Sequence, residues 1–129
     1  MLKGSIWAAQ DCTLYTVMPH MHVLGKKIKI TMTPPDGPTT TLVGIDNWDF
    51  NWQEIYFLKE PLRLPKGTVI TGTMWYDNSS ANPNNPHDPP KDVGWGEQTT
   101  DEMFLFYVGF VKAKTQTAPI APPAKKKFY

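Results

Sequence analysis

The sequence is poor in several features that would otherwise direct its interpretation. It has a single cysteine, Cys12, so no internal disulfide can form and packing must stabilise the fold. Its formal net charge is only +1, without the concentrated basic face typical of nucleic-acid-binding proteins. No apolar run is long enough to predict a membrane-spanning helix, and residues 1–10 lack the apolar stretch of a signal peptide. We therefore expect neither a nucleic-acid partner nor a membrane span.

Proline and glycine, in contrast, are frequent: the 129 residues include 13 prolines and 9 glycines. They interrupt the chain so often that no helical stripe of apolar residues can form, which predicts an all-β fold of short strands, a sandwich or a barrel. The predicted strands are residues 12–18, 27–33, 39–45, 54–59, 68–77 and 104–111. Residues 61–65 read as an edge segment because of their two prolines. The last strand is so apolar that we expect it to be central and buried on both faces.

The predicted organisation is one domain with two flanking segments. Residues 1–12 read as an N-terminal extension, residues 13–111 as the domain, and residues 112–129 as a flexible tail rich in proline and lysine. Within the domain, residues 78–95 form a long loop of Asn, Ser, Pro and Gly that carries His87. We expect His87 to be exposed to solvent, with metal ligation as the alternative.

Two of the three histidines lie one residue apart, at His20 and His22. On a strand, alternate side chains point to the same face, so the two imidazoles would form a bidentate metal site. Neutral imidazole is a common protein ligand for copper and zinc. The alternative is a pair of surface histidines, or one histidine in the core beside one that is exposed.

A methionine is a candidate further ligand, because a thioether selects Cu(I). Met103 follows two acidic residues at the start of the last apolar strand. Methionine also fills gaps in apolar cores, and spacing alone does not choose among the candidates. The others are Met18, Met21, Met32 and Met74.

Three aromatic residues, Trp48, Phe50 and Trp52, alternate with polar residues. In an extended segment this spacing places three large rings on one face, and we expect them to pack in the core. The alternative is a platform that binds a carbohydrate or a protein, but this reading leaves the His-x-His pair unexplained.

Three blocks, residues 19–26, 47–52 and 96–103, together resemble the C-terminal domain of copper type II ascorbate-dependent monooxygenases. The resemblance is greatest to bacterial relatives of peptidylglycine α-hydroxylating monooxygenase and dopamine β-monooxygenase. It implies an antiparallel jelly-roll β-sandwich and an extracytoplasmic setting. It also implies that His20, His22 and Met103 hold a copper ion that alternates between Cu(I) and Cu(II). Dioxygen and a small organic molecule would be the substrates, and ascorbate the electron donor.

The sequence departs from that family in two respects. Met18 and Leu105 stand where the peptide-hydroxylating branch has an arginine and an asparagine that hold the substrate carboxylate, and only Tyr107 is kept. We therefore do not expect a glycine-extended peptide as substrate. The family also uses an electron-transfer copper held by three histidines in an N-terminal domain, and we expect this chain alone to lack that copper.

Two hypotheses of function follow. In the first, the chain is the oxygen-activating half of a monooxygenase that hydroxylates a C–H bond, working with an N-terminal electron-transfer copper domain. In the second, it is a stand-alone module that binds copper for electron transfer or copper handling, without monooxygenase activity.

Overall fold

The computed structural model describes residues 1–113, and within them the chain forms two antiparallel β-sheets. The strands are β1 (Leu2–Trp7), β2 (Cys12–His20), β3 (Gly25–Thr33), β4 (Thr40–Ile45), β5 (Tyr56–Leu64), β6 (Val69–Tyr76) and β7 (Leu105–Lys112). The larger sheet has the order β1-β6-β3-β4 and the smaller one the order β5-β2-β7. None of the described residues forms a helix that could cross a membrane. The predicted all-β sandwich is confirmed.

The core lies between the inner faces of the two sheets. In β3, Ile28 and Ile30 are fully buried, whereas Lys29 between them is exposed, which is the period of two that the sequence predicted. Strands β3 and β4 pair as the predicted antiparallel hairpin. Leu14 and Val17 of β2 face the core from the smaller sheet. His20 is the last residue of β2 and therefore lies at one end of the sandwich.

Residues 2–7 belong to the larger sheet, although the sequence predicted an extension over residues 1–12. Strand β1 pairs with β6 over its whole length. Only Gly4 of its six residues is partly buried, so β1 lacks the alternation of apolar and polar residues that reveals a strand. At the other end, β7 runs to Lys112, and the rest of the predicted tail lies outside the described residues apart from Ala113.

The prediction that the last strand is central was wrong. Strand β7 lies at the edge of the smaller sheet, where β2 is central, and its residues Tyr107 and Val111 are 55% and 58% exposed. Phe104, just before β7, and Phe106 within it instead lie against the larger sheet. Gly4 and Gly72 are cross-strand partners, and a Cβ atom added to them would lie 2.6 Å from the Phe104 ring and 2.8 Å from the Phe106 ring, respectively. The two glycines therefore allow the segment that follows Met103 to pack closely against the larger sheet.

The three alternating aromatic residues do not share a face, in contrast to the prediction. Residues 46–53 form bends and a turn, in which the Asp49 carboxylate accepts a hydrogen bond of 2.8 Å from the backbone N–H of Asn51. Trp48 is buried in the core, but Trp52 is 68% exposed. The predicted edge position of the proline segment is confirmed, because Pro61 lies in β5, at the edge of the smaller sheet.

Candidate metal centre

The two histidines lie side by side at the end of β2. His20 is the last residue of this strand, and His22 follows it by two positions. Their ring centroids are 5.2 Å apart, and the ring planes are nearly perpendicular. Met21, between them, is fully buried in the core. The structure therefore brings the two imidazoles together, as the spacing predicted, although the strand ends between them.

The imidazole of His20 is oriented by a glutamine side chain. The Gln53 Oε1 atom lies 2.6 Å from Nδ1 of His20, and the Gln53 Nε2 atom donates a hydrogen bond of 2.7 Å to the backbone carbonyl of Phe50. Because the amide N–H group points to that carbonyl, the amide oxygen accepts from the ring. Nδ1 of His20 therefore carries the proton, and Nε2 keeps its lone pair.

The imidazole of His22 is oriented by the protein backbone. Its Nδ1 atom lies 3.1 Å from the carbonyl oxygen of Asp101, which can only accept, so this Nδ1 also carries the proton. The ring of Phe50 contacts His22 edge to face, with 5.9 Å between centroids. His22 is only 4% exposed, and these contacts fix its ring.

Both Nε2 atoms are accessible. Among residues 1–113, neither forms a hydrogen bond, and the only buried side-chain nitrogen or oxygen without a partner there is Nε1 of Trp48. Within the described residues, the Nε2 atoms of His20 and His22 therefore keep lone pairs that no protein group uses. A metal-binding histidine commonly has this arrangement, with its other nitrogen bonded to an oxygen acceptor.

The carboxylate of Glu102 joins the histidine segment to the segment that carries Met103. Its Oε1 atom accepts hydrogen bonds from the backbone N–H groups of His22, at 2.6 Å, and of Met103, at 2.8 Å. Its Oε2 atom accepts from the backbone N–H of Leu24 at 3.2 Å. Because one oxygen atom receives both bonds, the backbones of His22 and Met103 lie close together.

Met103 is half-buried and lines a cavity of about 260 Å³ that Tyr76 and Trp95 also line. The Tyr76 hydroxyl donates a hydrogen bond of 2.7 Å to the backbone carbonyl of Met103. Burial raises the pKa of Tyr76 well above its usual value, and the charge of Glu102 raises it further. The hydroxyl therefore stays protonated and remains a donor to Met103.

His87 lies in the loop of residues 78–95 and is half-buried rather than fully exposed. Its backbone N–H donates to the side-chain oxygen of Asn85 at 3.0 Å. In the described part of the chain, no three His, Cys, Asp or Glu side chains gather so that they could hold a metal ion. His87 therefore does not complete such a group with the His20 and His22 pair.

Sequence reasoning missed the groups that orient the histidines. Gln53 directly follows the block of residues 47–52, and Glu102 lies within the block of residues 96–103, so both were close to segments that the sequence had singled out. No spacing rule, however, predicts that Glu102 contacts a residue 80 positions earlier in the chain.

Fold and site together define a β-sandwich protein with a candidate histidine-pair metal centre at one end of its central strand. The sequence itself gives the family. Residues 7–122 match the model of the copper type II ascorbate-dependent monooxygenase, C-terminal domain, and the chain belongs to this family. No curated protein is significantly similar in sequence. The match begins at the end of β1 and extends beyond both predicted domain boundaries.

Proposed function

We propose that His20, His22 and Met103 hold one copper ion, and that this domain is the oxygen-activating half of a monooxygenase that hydroxylates a C–H bond. The observation that carries the proposal is the pair of adjacent imidazoles. Both Nδ1 atoms are bonded to oxygen acceptors, so both Nε2 atoms keep lone pairs that no described residue uses. The chain's membership of a copper- and ascorbate-dependent family supports copper as the metal.

The donor atoms fit copper in both oxidation states. Imidazole binds Cu(II) and Cu(I), whereas a thioether favours Cu(I). Zinc is usually bound by His, Cys, Asp or Glu, and in residues 1–113 no third side chain of these types joins the histidine pair. Met103, whose backbone is joined to that of His22 through Glu102, supplies a donor of another type.

The bound copper would supply the activation of dioxygen. One oxygen atom enters the C–H bond, and the other leaves as water after two electrons from ascorbate and two protons have been consumed. His20 and His22 keep their protons on Nδ1, away from the metal. The family's N-terminal electron-transfer copper domain is the proposed partner, and an extracytoplasmic compartment is the proposed setting.

The surface next to His20 favours an uncharged organic substrate. Alternate residues of β2 share a face, so Met18 lies on the same side as His20. In the register with β7, Met18 is opposite Tyr107 and His20 is opposite Leu105. These neighbouring positions carry no basic side chain that could hold a carboxylate, which agrees with the expectation that glycine-extended peptides are not substrates.

The test is coupled turnover by the copper-loaded protein. Excess ascorbate, which here replaces the electron-transfer copper domain as the source of electrons, is added with dioxygen and an uncharged C–H donor such as ethylbenzene. Oxygen uptake is then compared with hydroxylated product. We expect product from the wild type and from His87→Ala, which retains the histidine pair, and none from His20→Ala or His22→Ala. Peroxide as the only product would favour the stand-alone copper module. Undiminished copper binding by His20→Ala and His22→Ala would overturn the proposed site.

A further inference from the structure

We infer that Glu102 is a positioning residue that holds the thioether of Met103 beside the histidine pair, and thereby sets the preference of the site for Cu(I). This inference rests on the proposed function, since it concerns the same copper ion. Glu102 itself touches neither copper nor substrate in this role. It acts through the backbone of the residues that carry the ligands.

The Glu102 carboxylate is held by backbone groups. All three of its hydrogen bonds come from backbone N–H groups, those of His22, Leu24 and Met103. In the described part of the chain, no lysine or arginine forms an ion pair with it. A carboxylate bonded to backbone amides forms charge-assisted hydrogen bonds, which are shorter and stronger than neutral ones. The charge of Glu102 is therefore used to hold backbone in place.

The three amides come from both sides of the candidate site. His22 and Leu24 follow β2, whereas Met103 precedes β7. Three hydrogen bonds join these two segments in residues 1–113, and two of them end on the Glu102 carboxylate. The third joins Nδ1 of His22 to the carbonyl of Asp101. Glu102 is thus the main connection between the histidine segment and the methionine segment.

The far side of the methionine segment is anchored separately. The backbone N–H of Glu102 donates to the carbonyl of Gly94 at 3.0 Å, and the Tyr76 hydroxyl donates to the carbonyl of Met103. Loss of the carboxylate would therefore leave the segment attached to the loop and to β6, but joined to the histidine segment only through the bond between His22 and Asp101. His20 would keep its bond to Gln53, and His22 its bond to Asp101.

Because the imidazoles and the methionine segment are held by different contacts, we expect the loss of Glu102 to affect the two oxidation states of copper differently. The imidazoles bind both Cu(I) and Cu(II), while the thioether contributes mainly to Cu(I). Removing Glu102 should therefore weaken Cu(I) binding and largely spare Cu(II) binding. The change should resemble that of removing the methionine sulfur itself.

The test compares Glu102→Gln, Met103→Leu and the double variant. Glutamine keeps the shape of the side chain but loses the charge, and its NH₂ group would oppose a backbone N–H. We expect Glu102→Gln to lower Cu(I) affinity by up to about tenfold, and by no more than Met103→Leu, because it acts through the same thioether. The double variant should be no weaker than Met103→Leu, because both substitutions remove the same contact. Glu97→Gln, an exposed glutamate of the same block, is the matched control.

Two further measurements separate positioning from general damage. X-ray absorption of the Cu(I) protein should show a sulfur neighbour in the wild type and in Glu97→Gln, but not in Glu102→Gln. Hydrogen exchange of the metal-free protein should show protected amides at His22, Leu24 and Met103, and these amides should exchange faster in Glu102→Gln.

The outcomes distinguish the two proposals. If Met103→Leu weakens Cu(I) binding and Glu102→Gln does not, the inference is wrong and the copper site stands. Losses that add in the double variant would also overturn it, because Glu102 would then act elsewhere. If Met103→Leu leaves Cu(I) binding unchanged, methionine is not a ligand, and both the ligand set and the inference fall. If Glu102→Gln does not fold, Glu102→Asp, which keeps the charge on a shorter side chain, replaces it in the same comparison.

Discussion

The two histidines are held by two different regions of the molecule. His20 is oriented by the loop of residues 46–53, through the side-chain amide of Gln53, 33 positions away in sequence. His22 is oriented by residues 101–103, through the backbone carbonyl of Asp101 and the carboxylate of Glu102, about 80 positions away. His20 is half-buried, whereas His22 is buried. The orientation of His20 depends on one polar side chain. The orientation of His22 depends on a segment that is distant in sequence, residues 101–103, which precedes the strand paired with β2.

The two halves of the site are therefore sensitive to different kinds of substitution. A single substitution can remove the acceptor of His20, because that acceptor belongs to a side chain. No substitution removes the carbonyl of Asp101, so the His22 side can be changed only through the position of the whole segment. The segment of residues 101–103 is held by two kinds of hydrogen bond. The charged carboxylate of Glu102 accepts one from the backbone of His22, and the neutral hydroxyl of Tyr76 donates one to the backbone of Met103.

The largest effect should come from removing either histidine. We expect both His20→Ala and His22→Ala to abolish tight copper binding, since the imidazoles bind the metal in both oxidation states. Only His22→Ala should also destabilise the metal-free protein appreciably, by about 1–3 kcal/mol, because His22 is 4% exposed and hydrogen-bonded. Isothermal titration and urea denaturation measure the two effects, with His87→Ala as the control. If His20→Ala and His22→Ala lower the free energy of unfolding equally, His22 is not the more firmly held of the two histidines.

The next effect concerns Met103. We expect Met103→Leu to weaken Cu(I) binding by about tenfold and to change Cu(II) binding much less, because a thioether is a soft ligand. The reduction potential of the copper would then fall by about 60 mV. Competition with chelators of each oxidation state measures the affinities, and redox titration measures the potential. Equal losses for Cu(I) and Cu(II) would show that Met103 is not a selective ligand.

A substitution on the other side of the site should not discriminate between oxidation states. We expect Gln53→Leu to lower the affinity for Cu(I) and Cu(II) alike, by about tenfold, because it removes the group that orients the His20 imidazole. Gln10→Leu, at an exposed glutamine, is the control and should change neither affinity. If Gln53→Leu lowers the affinity for Cu(I) only, Gln53 does not act through the His20 imidazole alone.

The smallest effect should come from Tyr76. We expect Tyr76→Phe to destabilise the metal-free protein by about 1 kcal/mol, through loss of the hydrogen bond to Met103. Burial raises the pKa of Tyr76, so the folded protein keeps this proton above about pH 10, where an unfolded tyrosine loses it. Above this pH, ionisation of the tyrosine favours the unfolded state of the wild type. The free energy of unfolding of the wild type should therefore exceed that of Tyr76→Phe by less and less as the pH rises above 10.

Urea denaturation at pH 8 and at pH 11 measures this change in the metal-free protein. Tyr107→Phe, at a tyrosine that is 55% exposed, is the matched control and should show no comparable dependence on pH. If the free energies of unfolding of the wild type and Tyr76→Phe differ by the same amount at both pH values, burial does not raise the pKa of Tyr76 as expected.

Much of the fold could be predicted from the sequence, because local patterns reflect local geometry. The alternation in β3, the turn before β4 and the proline segment at the sheet edge were all visible. The errors have physical reasons. Strand β1 carries too little apolar alternation to be recognised, and Phe106 of β7, like Phe104 just before it, packs against a glycine of the other sheet instead of marking a central strand.

The all-β class, the family and the short spacing of His20 and His22 can all be recognised in the sequence, because each depends on local patterns along the chain. The groups that orient the two rings, and thereby leave both Nε2 atoms without a partner among the described residues, become visible only in the folded molecule. Only it showed that Glu102 joins the segments of His22 and Met103. These contacts depend on how two sheets pack and where loops return, and no local pattern in the chain encodes such distances.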